Sequence, residues 1–157
     1  MIIGDGNEIR RAGVEDAADV ARLLHDFNTE YDDPTPPVPV LAERVGELLA
    51  EGAIVVLLAN RPPTGLALLR LKPSLWSKAA DAYLEELYVV PEQRDKSIGK
   101  ALLKAAIATA REAGADHFEL TTGEGDTAAR ALYESFNLTN REGGPDGPRM
   151  LYYEIDL

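Results

Sequence analysis

Hydrophobic and polar positions along the chain switch repeatedly between a period near two and a period near 3.6. Residues 8–11 fit a short strand that runs into Val14, Glu15 and Asp16, whose acidic side chains suit a helix start. Ala17, Val20, Ala21, Leu24 and Phe27 then recur at helical spacing, predicting a helix that ends near Tyr31. The Asp- and Pro-rich residues 32–37 form a rigid loop. A second helix follows, with Leu41, Val45, Leu48 and Leu49 on one face and Gly52 as its stop. Residues 53–59 are an apolar run of strand length, 60–65 a turn, and 66–71 the return strand of a hairpin. A polar loop over 72–80 carries the single tryptophan, Trp76, before a third strand over 82–90 that Pro91 ends. Residues 97–113 form the strongest predicted helix, closed by Gly114, with Ile98, Ala101, Leu102, Ala105, Ala106 and Ala110 spaced for burial. A strand over 117–121, a helix over 126–136 with Ala129, Leu132, Tyr133 and Phe136 as its stripe, and a last strand over 150–155 complete the order. With neither repeats nor a dividing linker, the pattern predicts one mixed α/β domain over 1–157.

Composition narrows the picture. The chain has 157 residues, enough for one domain with a substantial core. It lacks cysteine, which removes disulfides, thiolate metal sites and a thiol nucleophile from consideration. The first eleven residues lack the apolar run of a signal peptide, and the longest apolar stretch, 53–59, falls far short of a membrane span. Cytoplasm is the expected location. Sixteen basic against 27 acidic residues leave a net charge of −11, the wrong sign for a nucleic-acid binder and the right one for drawing in cationic substrates. His25 and His117 have no metal-like spacing, and 122–126 is glycine-rich without the ending of a phosphate-binding nucleotide loop.

The chemistry concentrates in residues 87–103. There a strand ends, a short loop carrying Arg94 and Lys96 follows, and an amphipathic helix begins with Lys100 in its first turn. Free backbone N–H groups and the positive end of a helix dipole suit an anion such as a diphosphate. The stretch Arg94-Asp95-Lys96-Ser97-Ile98-Gly99, with Tyr88-Val89-Val90-Pro91-Glu92 before it, resembles the acyl-CoA motif of the GNAT superfamily of N-acetyltransferases, Arg/Gln-x-x-Gly-x-Gly/Ala. Asp95 and Ser97 stand where that family frequently has glycine. Residues 126–138 resemble the family's second motif through Ala129, Leu132 and Tyr133, with Asp126, Asn137 and Leu138 replacing Asn, Gly and Phe. Asp126 is expected to cap its helix and Asn137 to accept the left-handed geometry of a helix end.

The resemblance implies a mixed, mostly antiparallel sheet flanked by about four helices, with a splayed pair of parallel strands holding acetyl-CoA. It implies Leu87, Tyr88 and Val89 along the pantetheine, and residues Arg94, Asp95, Lys96, Ser97, Ile98, Gly99 and Lys100 about the diphosphate. Asp126, Ala129 and Arg130 are implied on the cofactor side of the later helix, and Tyr133 as the acid for the departing thiolate.

An alkylammonium, with a pKa of about 10.4, attacks a thioester only after losing a proton, so a base is needed. Glu85 and Glu86, adjacent on a strand, are expected to face opposite ways. Residues 83–89 resemble the corresponding strand of spermidine/spermine acetyltransferases, which implies Glu85 as base and Glu86 as holding a cationic amine, while Tyr31 and Trp76 are candidates for lining the substrate pocket. The reaction expected is acetyl transfer to a primary amine of a small molecule, without metal, nucleic acid or membrane. A homodimer using 136–157 fits the family. A degenerate domain that binds acyl-CoA or a partner without turnover is the alternative, favoured by the replacements at 95, 97, 126 and 137.

Overall fold

In the computed structural model, residues 2–4 and 6–157 are described, residues 2–4 by their backbone alone. They fall into two compact units, 1–120 and 121–157. The first holds strands β1 (Ile2–Gly4), β2 (Asn7–Arg11), β3 (Val55–Ala59), β4 (Gly65–Pro73), β5 (Ala80–Val89) and β6 (Ala115–Leu120). Its helices are α1 (Ala17–Glu30), α2 (Val38–Ala50) and α3 (Ile98–Glu112).

The strands form one sheet in chain order, antiparallel from β1 to β5 and parallel between β5 and β6. Every residue of β3 is buried, which its unbroken Val-Val-Leu-Leu-Ala run permits because helices cover both faces. On one face Val20 and Leu23 of α1 and Val45 of α2 pack with Val56, Leu58, Leu66, Leu68 and Tyr88. On the other lies α3, whose Ile98, Leu102, Leu103, Ala105, Ala106 and Ala110 are buried. The approach is close at Gly65, where a Cβ would sit 2.8 Å from the Tyr88 carbonyl and 3.1 Å from Leu102. Glycine is therefore required at that position.

Helix α1 starts at a well-built junction. Arg10 donates to both carboxylate oxygens of Asp16, at 2.8 and 2.9 Å, and the Gly13 amide donates to Asp16 at 2.8 Å. Helix α2 opens behind Pro37, with Pro39 in its first turn where no intrahelical N–H is needed.

The second unit contains α4 (Thr127–Ser135). Its end is a Schellman turn. The Leu138 amide donates to the Tyr133 carbonyl and the Asn137 amide to that of Glu134, with Asn137 at φ 66°. Asn137 thus takes the conformation anticipated for it. The predicted last strand over 150–155 is not formed. Among the described residues no ladder partners this segment, and Leu151, Tyr153 and Ile155 are exposed. Strand-like composition yields a strand only where another strand pairs with it. A single bridge, Arg141 with Arg149, lies just before it. No helix among the described residues is long and apolar enough to cross a membrane.

Candidate active site

Two irregularities in β5 create the site. The first concerns its parallel partner. β5 pairs with β6 only from Ala80 to Leu84, so Glu85 to Val89 has no strand on that side among the described residues. Strand groups that pair with nothing there are available to an extended ligand. This is the splayed parallel pair expected from the resemblance.

The second is a bulge against β4. Leu68 lies opposite Glu86 and Leu69 opposite Leu84, leaving Glu85 as the extra residue. Leu66, opposite Tyr88, and Leu68 both belong to the core beneath α1 and α2, so Glu86 shares that face. Glu85 ion-pairs with Arg70, which lies two residues beyond Leu68 and therefore on the same face. The expectation that the two acids face opposite ways is thus corrected. Strand alternation holds for an unbroken strand, and the bulge interrupts it between the two.

Their environments differ. Burial, then the Glu85 and Asp33 charges, push the Glu86 carboxyl up to about 7 from an ordinary 4.5. Glu85 has a cation beside it in Arg70. Next along the face, Tyr88 is pushed up to about 12, chiefly by burial and then by Glu30. Its hydroxyl donates to Glu30 at 3.4 Å, and its ring stacks on Phe27 at 4.8 Å. Phe27 in turn meets the exposed Tyr31 edge-on at 5.4 Å. The structure thus brings Tyr31 to the aromatic row that ends beside Glu86.

At the far end of β5 the chain turns through Pro91–Gln93 into the basic loop. Arg94 donates to Glu30 at 2.8 Å and to the Val89 carbonyl at 3.1 Å, with its guanidinium 5.8 Å from the centre of the Tyr88 ring. Lys96 donates to Gln93 at 3.2 Å. Asp95 and Ser97, the two residues in place of glycine, both take left-handed backbone, at φ 63° and 61°. Both thus hold a conformation that glycine adopts most easily. No side chain caps α3, so the first-turn amides at Ile98, Gly99 and Lys100 lack the usual intrahelical or side-chain partner. Ile98 itself is buried and Lys100 exposed.

In the second unit, Asp126 occupies the position before α4 but caps nothing. Its carboxylate accepts instead from the Gly123 amide and the Thr122 hydroxyl, both at 3.1 Å. Arg130 donates back to the Glu124 carbonyl at 2.8 Å. Burial first, then the Asp126 charge, hold the Tyr133 phenol above its ordinary value, so it stays protonated at neutral pH. Ala129 lies on the same helix.

Sequence reasoning missed Glu30, Arg70 and Asn7, which are bonded to these site residues. Glu30 adjoins Tyr31 at a helix end, and Arg70 and Asn7 lie on other strands, so only tertiary pairing reveals them. Trp76 is exposed on the β4–β5 connection. No cluster of His, Asp or Glu suited to a metal occurs among the described residues.

A mixed sheet, a parallel pair parted beside a basic loop, and an uncapped helix start together describe the fold of acyl-CoA-dependent acyltransferases. Comparison with known proteins agrees. The model of the acetyltransferase (GNAT) family matches residues 18–137. An Arthrobacter sp. FB24 protein assigned as an acetyltransferase superposes with a TM-score of 0.88 at 46% identity, over 96% of each chain. Mycothiol acetyltransferase of Thermobispora bispora is 38% identical over 85 residues, 52% of this chain and 29% of that protein. The match therefore spans less than a third of that relative's length. Aminoglycoside N(6')-acetyltransferase type 1 of Stenotrophomonas maltophilia is 28% identical over 99% of this chain and 97% of that one. The chain belongs to the GNAT acetyltransferase family. It is an enzyme of the acetyl-CoA-dependent acetyltransferase class, with acetyl-CoA as co-substrate.

Proposed function

We propose that this protein transfers the acetyl group of acetyl-CoA to a primary amine of a small cationic molecule, with Glu86 as the base. The observation that carries the reading is the bulge. It turns two adjacent carboxylates to one face, where one has a cation and the other, at about 7, has none. A base poised near neutral pH takes up the ammonium proton more readily than an ordinary carboxylate while a large share of it stays ionised. Glu85, Glu86 and Asp33 make that mouth acidic, and Tyr31 offers an exposed ring to a cation. The aminoglycoside-acetylating relative and the local likeness to spermidine/spermine acetyltransferases lean the same way, toward polyamines or aminoglycosides.

In this reading Glu85 is not the base, as the local resemblance implies, but tunes Glu86 and draws in the amine. Acetyl-CoA lies along Leu87, Tyr88 and Val89, with its diphosphate on the amides of 94–99. The amine nitrogen, freed of its proton by Glu86, attacks the thioester carbonyl, and backbone N–H on β5 steadies the oxyanion. Collapse of that intermediate expels the CoA thiolate, which takes a proton from Tyr133; the second proton shed by the acylated nitrogen restores the phenol, and Glu86 releases its own to solvent. By the family resemblance Asp126, Ala129 and Arg130 also serve the cofactor, and a homodimer through 136–157 would cover the exposed apolar residues there.

Thiol release from acetyl-CoA, measured with a panel of polyamines and aminoglycosides, tests the reading. Turnover with at least one cationic amine is expected, reduced at least tenfold in Tyr133→Phe. Absence of turnover across the panel, with CoA still bound, would favour a binding domain without catalysis.

A further inference from the structure

Asn7 is a buried polar residue, 7% exposed, and it sits on β2, remote in sequence from the basic loop. Its side-chain amide donates to the Lys96 carbonyl at 3.2 Å. Its oxygen accepts from Asn60 at 3.1 Å, and Asn60 also donates to the Thr64 hydroxyl at 3.1 Å. Asn60 is itself held, through its side-chain oxygen accepting from the Glu8 amide at 3.1 Å and its own amide donating to the Glu8 carbonyl at 2.8 Å. The Thr64 carbonyl accepts from the Val90 amide at 2.9 Å, at the end of β5. One polar chain thus runs from β2 through the β3–β4 turn, reaching both ends of the segment that leads from β5 to α3.

The atom that Asn7 holds matters. Lys96 lies between the two left-handed residues, Asp95 and Ser97. In a trans peptide the C=O and the following N–H point in opposite directions. Fixing the Lys96 carbonyl toward the buried Asn7 therefore turns the Ser97 N–H outward, at the uncapped start of α3. Left-handed serine has no preference strong enough to hold that plane unaided. We propose that Asn7 is a positioning residue that presents the Ser97 amide to the diphosphate of acetyl-CoA. Asn7 touches no part of the ligand. This rests on the reading that the diphosphate binds at residues 94–99.

The experiment compares acetyl-CoA with S-acetylpantetheine, which carries the same thioester but no diphosphate. For Asn7→Ala, KM for acetyl-CoA should rise about tenfold with kcat nearly unchanged, as expected for one lost charge-assisted contact. Kinetics with S-acetylpantetheine should not change. Asn7→Asp, which sets an oxygen against the Lys96 carbonyl, should raise KM for acetyl-CoA further. Equal losses with both donors would reduce Asn7 to a structural residue, and an unchanged KM for acetyl-CoA would also overturn the proposal. Should both Asn7 variants fail to fold, Asn60→Ala loosens the same side chain and is read by the same two donors. If the wild-type enzyme itself uses both donors equally well, the diphosphate site at 94–99 fails, and this inference with it.

Discussion

Two shielded carboxylates in the first unit, Asp16 at the start of α1 and Glu86 on β5, have opposite fates. Asp16 is gripped by both terminal nitrogens of Arg10 and by the Gly13 amide, and these bonds hold its carboxyl below the ordinary value. The Asp16 and Arg10 side chains are 11% and 16% exposed. Glu86 is shielded to a similar end but has carboxylates, not a cation, as its charged neighbours, and rises to about 7. Burial raises both carboxyls; at Asp16 the Arg10 hydrogen bond outweighs it, whereas at Glu86 burial is the dominant effect and neighbouring carboxylates add to it. A paired acid becomes structure, and an unpaired one becomes a group ready to exchange a proton.

The largest expected effect tests the second half of that contrast. Glu86→Gln should lower kcat/KM about a hundredfold, while Glu85→Gln lowers it much less. In the wild type kcat/KM should rise with pH through an apparent pKa near 7, because the ionised form is the base. Equal losses in the two variants would return the base role to an open choice between Glu85 and Glu86.

Asp16→Asn tests the first half. Removing one member of a largely buried pair should cost about 2–3 kcal/mol in chemical denaturation. The sign in pH follows from the lowered folded pKa. The contribution is present above the ordinary value of 3.8 and is lost as pH falls through the lower folded value. The variant should therefore lose part of the wild type's acid-side slope.

For stability Glu86 runs the other way. Its folded pKa is the higher one, so between about 4.5 and 7 the folded chain binds more proton and loses stability as pH rises. Glu86→Gln should stabilise the protein by about 1–2 kcal/mol above pH 7, after allowance for solvent screening, and by nothing near pH 4. Thermal melts at the two pH values check this. A variant that is more stable and less active would mark Glu86 as a residue kept for chemistry rather than for the fold.

The smallest effect concerns the loop. Ser97→Gly should relieve the left-handed strain and stabilise the chain by about 0.5–1 kcal/mol, read from the denaturation midpoint. Unchanged stability would mean that the Asn7 and Asn60 bonds already absorb that strain.

The elements themselves were legible in the residues. Helical stripes in α1, α2, α3 and α4 and the apolar runs of β3 and β4 need only local periodicity, and the boundaries differ from expectation by one or two residues. β1 was not anticipated, being three residues long, and the strand over 150–155 was expected but has no partner. The loop at 94–99 was legible too, because an anion cradle is built from consecutive residues. Its left-handed positions fall where the family pattern has glycine.

What tertiary structure alone decided is which way the acids point and what surrounds them. The bulge at Glu85 arises from the register between β4 and β5, so no periodicity within β5 announces it. The same holds for Arg70 beside Glu85, Glu30 beside Arg94, and Asn7 beneath Lys96. Local sequence sets backbone preference over a few residues, whereas charge pairing and burial depend on chain segments up to 89 positions apart. Residue type and order therefore determined the fold and where its chemistry lies; long-range packing determined the protonation state of that chemistry.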